Sequence, residues 1–201
     1  MANAVSRNDS VLIGRWWFQR RGVSPLPLVL LCLVLPPEQE RSAIQLVYLL
    51  AGILLAEGVR VWAVGFAGSA TRTRGDSVPG LVHAGPFRFV RNPLYLANMA
   101  LYTLVAVAFG FTWLSFGFLL YFLIQYTFIV AFEEDTLKRE FGAAYGLYCA
   151  RVPRWVPRFT PGVEASAHRF QLGKALRSER ATLIALTVMA GLFFIKRLYL
   201  N

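Results

Sequence analysis

Residues 94–132 read LYLANMALYTLVAVAFGFTWLSFGFLLYFLIQYTFIVAF, 39 positions without one Asp, Glu, Lys or Arg. A helix crosses the hydrocarbon with roughly 20 residues, so this block is too long for one span and the right length for two. Gly110, Phe111 and Thr112 form the natural turn between them. Further out, residues 44–66 are apolar but for Gln45, Glu57 and Arg60. Residues 181–195 begin another span that can run on to Leu200. The whole chain is 56% hydrophobic and only 16% charged, the composition of an integral membrane protein.

The N-terminal segment is shorter. Ser24-Pro25 suits a helix start, and the apolar run after it ends at Pro36-Pro37. That run of about 12 residues gives roughly 18 Å of helix, less than a full crossing. Basic residues before a short apolar core also suit a secretory signal, yet no small-residue cleavage site follows. A retained, short first span is therefore expected. Residues 11–18, with Arg15, Trp16 and Trp17, either extend that helix or lie in the membrane interface.

The net charge of +10 would suggest nucleic acid in a soluble protein, but its placement points elsewhere. Arg72, Arg74, Arg88 and Arg91 follow the second span, and a second basic set from Lys138 to Arg180 follows the fourth. The positive-inside rule puts both connections in the cytoplasm, facing anionic lipid. No nucleic-acid partner is needed. Two distant cysteines, Cys32 and Cys149, and two histidines, His83 and His168, support neither a disulfide framework nor a metal centre. Residues 135–152 place Leu137, Phe141, Tyr145, Tyr148 and Val152 at helical spacing, either an amphipathic helix or the span continued out of the lipid. Pro153, Pro157 and Pro161 then forbid regular helix, and residues 164–180 read as a helix lying on the membrane surface. The connection 67–80 reads as flexible.

Two clusters carry chemistry. The run from His83 to Tyr95 is His-Ala-Gly-Pro-Phe-Arg-Phe-Val-Arg-Asn-Pro-Leu-Tyr. Gly85 permits close backbone approach, and Asn92-Pro93 starts the third span, so its unpaired N–H groups and positive dipole end lie beside Arg91. A ligand carboxylate is well bound at such a place. The fourth span ends in Glu133-Glu134-Asp135, where the helix dipole disfavours acids and a cationic partner is required. That partner is either an arginine (Arg91 or Arg151) or a ligand ammonium, sulfonium or ribose. Glu57 and Arg60, three apart within the second span, can pair on one face, and charges there are expensive.

Taken together, Gly85-Pro86-Phe87-x-x-x-Arg91-Asn92-Pro93-x-Tyr95, Glu133-Glu134-x-x-Leu137-x-x-x-Phe141-Gly142-x-x-Tyr145-x-x-Tyr148 and Arg151-Val152-Pro153 resemble the superfamily of isoprenylcysteine carboxyl methyltransferases and phospholipid N-methyltransferases. The resemblance covers about residues 80–160. It implies an integral membrane enzyme that takes a methyl group from S-adenosylmethionine and passes it to a lipophilic acceptor entering from the bilayer, with the site on the cytoplasmic side. By motif position His83, Gly85, Pro86, Phe87, Arg91, Pro93, Tyr95, Glu133 and Glu134 would contact or shape the cofactor site. Asn92, Arg151 and Arg154 would serve the acceptor. Phe87 stands where the family commonly has tyrosine, and Asn92 where the carboxyl methyltransferases commonly have histidine. The second departure weakens the assignment to isoprenylcysteine and leaves the superfamily intact.

The expected architecture is an all-α bundle of about five transmembrane helices with cytoplasmic amphipathic helices, in one domain. Residues 1–66 hold the N-terminal spans, 67–160 the cofactor-binding core with the hairpin 94–132, and 161–201 an interfacial helix and the last span. The expected acceptor is an isoprenylcysteine-like carboxylate or a lipid head group, the alternative being N-methylation of a phospholipid amine. An NADPH-dependent membrane reductase and a non-catalytic lipid-binding protein are the rival classes.

Overall fold

A computed structural model of the chain describes residues 2–68 and 80–200. Among these residues the protein is all helical: α1 (Ala2–Arg20), α2 (Leu26–Val34), α3 (Ala43–Ala67), α4 (Pro93–Ala108), α5 (Trp113–Arg151) and α6 (Leu172–Leu200), with a 3-10 turn at Gly85–Arg88. The connection expected at 67–80, with Arg72 and Arg74, falls almost wholly outside the described residues. Three helices, α3, α5 and α6, are long and apolar enough to cross a membrane, and α4 is a shorter apolar helix. α4 has 16 residues, about 24 Å, and α2 only nine, about 14 Å.

Each boundary has a local cause. Ser42 and Gln45 close a reciprocal capping box at the start of α3, at 3.3 and 2.9 Å. Pro93 opens α4 from the first helical position, as the Asn92-Pro93 pair predicts. The turn between α4 and α5 falls at residues 109–112, also as expected. Two expectations are corrected. The segment before α2 forms a helix of its own, turned off at residues 21–25 and packed along α5. The surface helix expected at 164–180 is absent: residues 164–171 are irregular, and from Leu172 the chain is already in α6, which continues unbroken to Leu200. Arg177 and Arg180 therefore stand on the first turns of a long helix.

α3 packs on α4 and α6, and α4 packs on α5. The apolar core lies between α2, α4 and α5, around Cys32, Met99, Phe109, Phe118, Phe122 and Ile129. A buried polar cluster interrupts it. The Arg60 guanidinium pairs with Glu57 at 3.0 Å, with Glu179 of α6 and with Asn98 of α4, and it donates to Thr182 at 3.1 Å. The pairing of Glu57 with Arg60 was legible three residues apart in α3. Glu179 and Asn98 were not.

Opposite the motif residues, the linker 35–42 wraps the α4–α5 turn. The Glu38 carboxylate accepts from the backbone N–H groups of Thr112 and Trp113, both at 2.8 Å, and of Leu114 at 3.2 Å. It thus caps α5 from a distant loop, where the helix dipole favours an anion. Cations at this end serve carbonyls at the helix ends: Arg41 donates to Val107 O at 2.9 Å, and Lys196 to Cys32 O and Leu35 O at 2.5 and 2.6 Å.

The bond from Trp113, with those from Leu114 and Thr112 and the nearby Arg41, holds the Glu38 carboxyl below its ordinary 4.5. A carboxyl whose folded pKa is lowered stabilises the fold above its unfolded value and loses that contribution as pH falls through the folded one. Glu38→Gln is therefore expected to lower the thermal midpoint in detergent above pH 4.5 and to narrow the difference from wild type in more acid buffer. A wild-type midpoint that matches Glu38→Gln at neutral pH would show that the cap contributes nothing.

Candidate functional site

Gly142 organises this end of the molecule. It interrupts α5 with φ 49° and ψ −121°, a conformation that only glycine adopts readily. The consequence is visible at Arg91. Its Nη1 lies 3.0 Å from Glu134 Oε1 and 2.7 Å from Cys149 Sγ. On a straight helix residues 134 and 149 would be about 22 Å apart. The chain therefore folds back at Gly142, and the returning turns lay Tyr145 and Tyr148 against the motif segment.

The returning chain continues as a brace along residues 83–92. Arg91 N donates to Pro153 O at 2.9 Å, Arg158 N to Phe89 O at 3.0 Å, Gly162 N to Arg88 O at 2.8 Å and Ser166 N to His83 O at 3.3 Å. Side chains add to it. Tyr148 donates to Phe87 O at 2.8 Å, Arg88 Nε to Val163 O at 2.9 Å and Asn92 Nδ2 to Arg154 O at 3.1 Å. His83 Nδ1 lies 3.0 Å from Glu164 O, with its ring beside Tyr148. Gly85 has φ 56°, and a Cβ there would lie 2.2 Å from the Phe66 ring, so the 3-10 turn sits directly on α3. Pro86 beside it is buried.

Glu134 is the centre of the arrangement. It is 4% exposed and carries arginines on both oxygens. Arg91 reaches Oε1 at 3.0 Å, Arg154 Nε reaches the same oxygen at 3.0 Å, and Arg154 Nη2 pairs with Oε2. One buried carboxylate thus ties the start of α4, the end of the α5 span and the proline-rich loop together. Its cationic partners are Arg91, one of those the sequence offered, and Arg154 in place of Arg151. Asp135 pairs with Arg139 one turn on, in an exposed position.

Glu133 faces elsewhere, as a 100° step along the helix requires. It bonds to the Tyr95 hydroxyl, with Arg21 close by. The Tyr95 ring packs on Tyr126 at 4.7 Å, and Tyr126 bonds to Asn98, which meets Arg60. A continuous line of contacts runs from the motif residues to the buried cluster of α3 and α6.

The structure thus gathers Arg91, Asn92, Glu134 and Arg154 into one clamp, sets Tyr95 and Glu133 beside it, and places His83, Gly85, Pro86 and Phe87 in the turn leading to it. Arg151 is exposed, and its carbonyl accepts from Arg158 at 2.9 Å. Cys149, Asn98, Tyr126 and Glu179 were not singled out from the sequence. Glu179 carried the one usable signal, as the single acid after Glu164 at the edge of an apolar run. Among the described residues no group of His, Cys, Asp and Glu is arranged to hold a metal.

Residues 44–144, half of the chain, match the family model described as phospholipid methyltransferase. The match opens at the start of α3 and closes just after the Gly142 break, so it contains the hairpin and both acidic positions. No curated protein and no solved structure matches the chain.

Proposed function

Because the chain belongs to the phospholipid methyltransferase family, a family of membrane methyltransferases acting on lipid-related substrates, we propose that it transfers a methyl group from S-adenosylmethionine to a lipophilic acceptor held in the bilayer. The observation that carries this reading is the Glu134 clamp. It makes one site of segments that lie 43 positions before Glu134, at Arg91, and 20 after it, at Arg154.

The residues suit the cofactor's charges. A carboxylate fits the positive start of α4 beside Arg91. Glu133, next to Tyr95, offers an acid for an ammonium or a ribose hydroxyl, and Gly85 lets the turn that leads to them seat on the Phe66 ring of α3. His83, Pro86, Phe87 and Pro93 shape the turn around them. When bound, S-adenosylmethionine supplies an activated methyl on a sulfonium, whose departure as a neutral thioether needs no acid. The protein's own contribution is then orientation and exclusion of water.

Glu134 acts by position, since both its oxygens are held by guanidinium groups. It keeps Arg91 toward the cofactor and Arg154 toward the acceptor. An amine acceptor has to lose a proton, and Glu133 is the carboxylate placed to receive it. A carboxylate acceptor would instead be held by Arg154, with Asn92 alongside and Arg151 at the rim. The site lies at the end of the bundle that bears most of the arginines, which we assign to the cytoplasm. We assign five crossings, the first to α2 together with the end of α1 and the others to α3, α4, α5 and α6.

Calorimetric titration of the detergent-purified protein with S-adenosylmethionine, S-adenosylhomocysteine and NADPH tests the reading. Micromolar binding of both adenosyl ligands without NADPH binding is expected. Absence of adenosyl binding by folded protein, or binding of NADPH alone, would sink it.

A further inference from the structure

We propose that the proline-rich loop at residues 153–161 is a lipid-seated anchor, whose tip enters the leaflet on the side of the candidate site and whose arginines select anionic head groups. Two apolar side chains stand at the tip without cover: Val156 is 76% exposed and Phe159 104%. Water is a poor home for either, and the loop has no freedom to turn them inward. Pro153, Pro157 and Pro161 restrict its backbone. The bonds of Arg91 N to Pro153 O and Gly162 N to Arg88 O pin it at both flanks, and that of Arg158 N to Phe89 O holds it between them.

The level of the loop is set by what it is pinned to. Residues 88–91 lead directly into apolar α4, and Trp155 packs against the apolar core between the helices. The tip therefore lies at the edge of the hydrocarbon. Arg151 and Arg158 are exposed around it and are held in register by the bond from Arg158 Nη1 to Arg151 O at 2.9 Å. A rigid apolar tip ringed by cations matches the chemistry of an interface carrying phosphate groups above acyl chains. The occupant is bulk anionic lipid. Arg154 belongs to the same loop, so the seat on the leaflet also positions the arginine that grips Glu134.

The full-length protein with p-benzoylphenylalanine in place of Phe159 tests this in vesicles of phosphatidylcholine, alone or mixed equally with phosphatidylglycerol. Phe159 makes no packing contact to lose, so the replacement leaves the fold intact. After illumination, mass spectrometry is expected to find lipid adducts at position 159 and few at a control position, Glu140, which is exposed beyond the span. The yield is expected to rise at least about threefold with the anionic lipid, and Arg151→Gln with Arg158→Gln to remove that rise. Adducts to protein in place of lipid, or a lipid yield at 159 no greater than at 140, would overturn the anchor. Equal yields in the two vesicle types would overturn the role of the arginines. The outcome does not depend on which cofactor the protein uses.

Discussion

Arg60→Met is expected to destabilise the protein by about 3–5 kcal/mol, the loss typical when one partner leaves a buried ion cluster. The guanidinium lies between Glu57 and Glu179, both buried, the latter 1% exposed. Taking it away leaves two carboxylates facing each other in an apolar bundle without the cation that joined them. α3 loses its tie to α6 through Glu179 and Thr182, and its tie to α4 through Asn98. The measurement is reversible unfolding in mixed micelles. A companion variant sharpens it: Glu57→Met, Arg60→Met and Glu179→Met together remove the charges and are expected to restore most of the stability, because apolar side chains of similar size replace a buried ion cluster at small cost. If Arg60→Met alone unfolds like wild type, the cluster does not hold the bundle. If the triple variant is as unstable as the single one, shape and not charge is what matters there.

Glu134→Gln is expected to weaken S-adenosylhomocysteine binding on the order of a hundredfold while the protein stays folded. Hydrogen bonds to charged groups contribute about 1.5–3 kcal/mol each, and two arginines lose their carboxylate at once. A glutamine fills the same space but carries no charge, and its amide N–H2 is a donor, so it cannot serve as acceptor at both Oε1 and Oε2 for the two guanidinium groups. Arg91 and Arg154 then relax, and the start of α4 and the proline-rich loop lose their common anchor. Asp135→Asn is the internal control. Its partner Arg139 is largely exposed, and such a pair contributes little, about 0–1 kcal/mol. Calorimetry on the three proteins reads the result directly. An unchanged affinity in Glu134→Gln, with wild type binding the ligand, would remove the clamp from the site. Equal losses in Glu134→Gln and Asp135→Asn would point to the general negative charge of the region.

The Arg60 cluster and the Glu134 clamp differ in how far the sequence reveals them. Glu57 and Arg60 announce themselves, since an acid and a base three residues apart inside an apolar run are too costly in hydrocarbon to stand unpaired. The partners that complete the cluster do not. Asn98 looks like any polar residue in a span, and Glu179 like one acid in a basic stretch. Which of them meets Arg60 depends on how three helices rotate against one another, and hydrophobic periodicity within one helix carries no information about that. The same holds for Glu134. Three consecutive acids at the end of a span demand a cation, but the choice of Arg154 over Arg151 is made by the fold-back at Gly142.

Length and apolarity alone determined that this chain is a helical membrane protein with a hairpin turning at residues 109–112, because hydrocarbon leaves the backbone no alternative to internal hydrogen bonding. Proline and glycine placement determined where α4 begins, since their restrictions are local. The spacing of arginine, proline, tyrosine and glutamate determined the family. Tertiary structure decided what those residues do to one another. It set Glu134 between two arginines, turned Glu133 toward Tyr95, left Arg151 in the open and merged the expected surface helix into α6. These outcomes arise from contacts between segments far apart in sequence, where helix rotation and chain reversal set distances that no local pattern records.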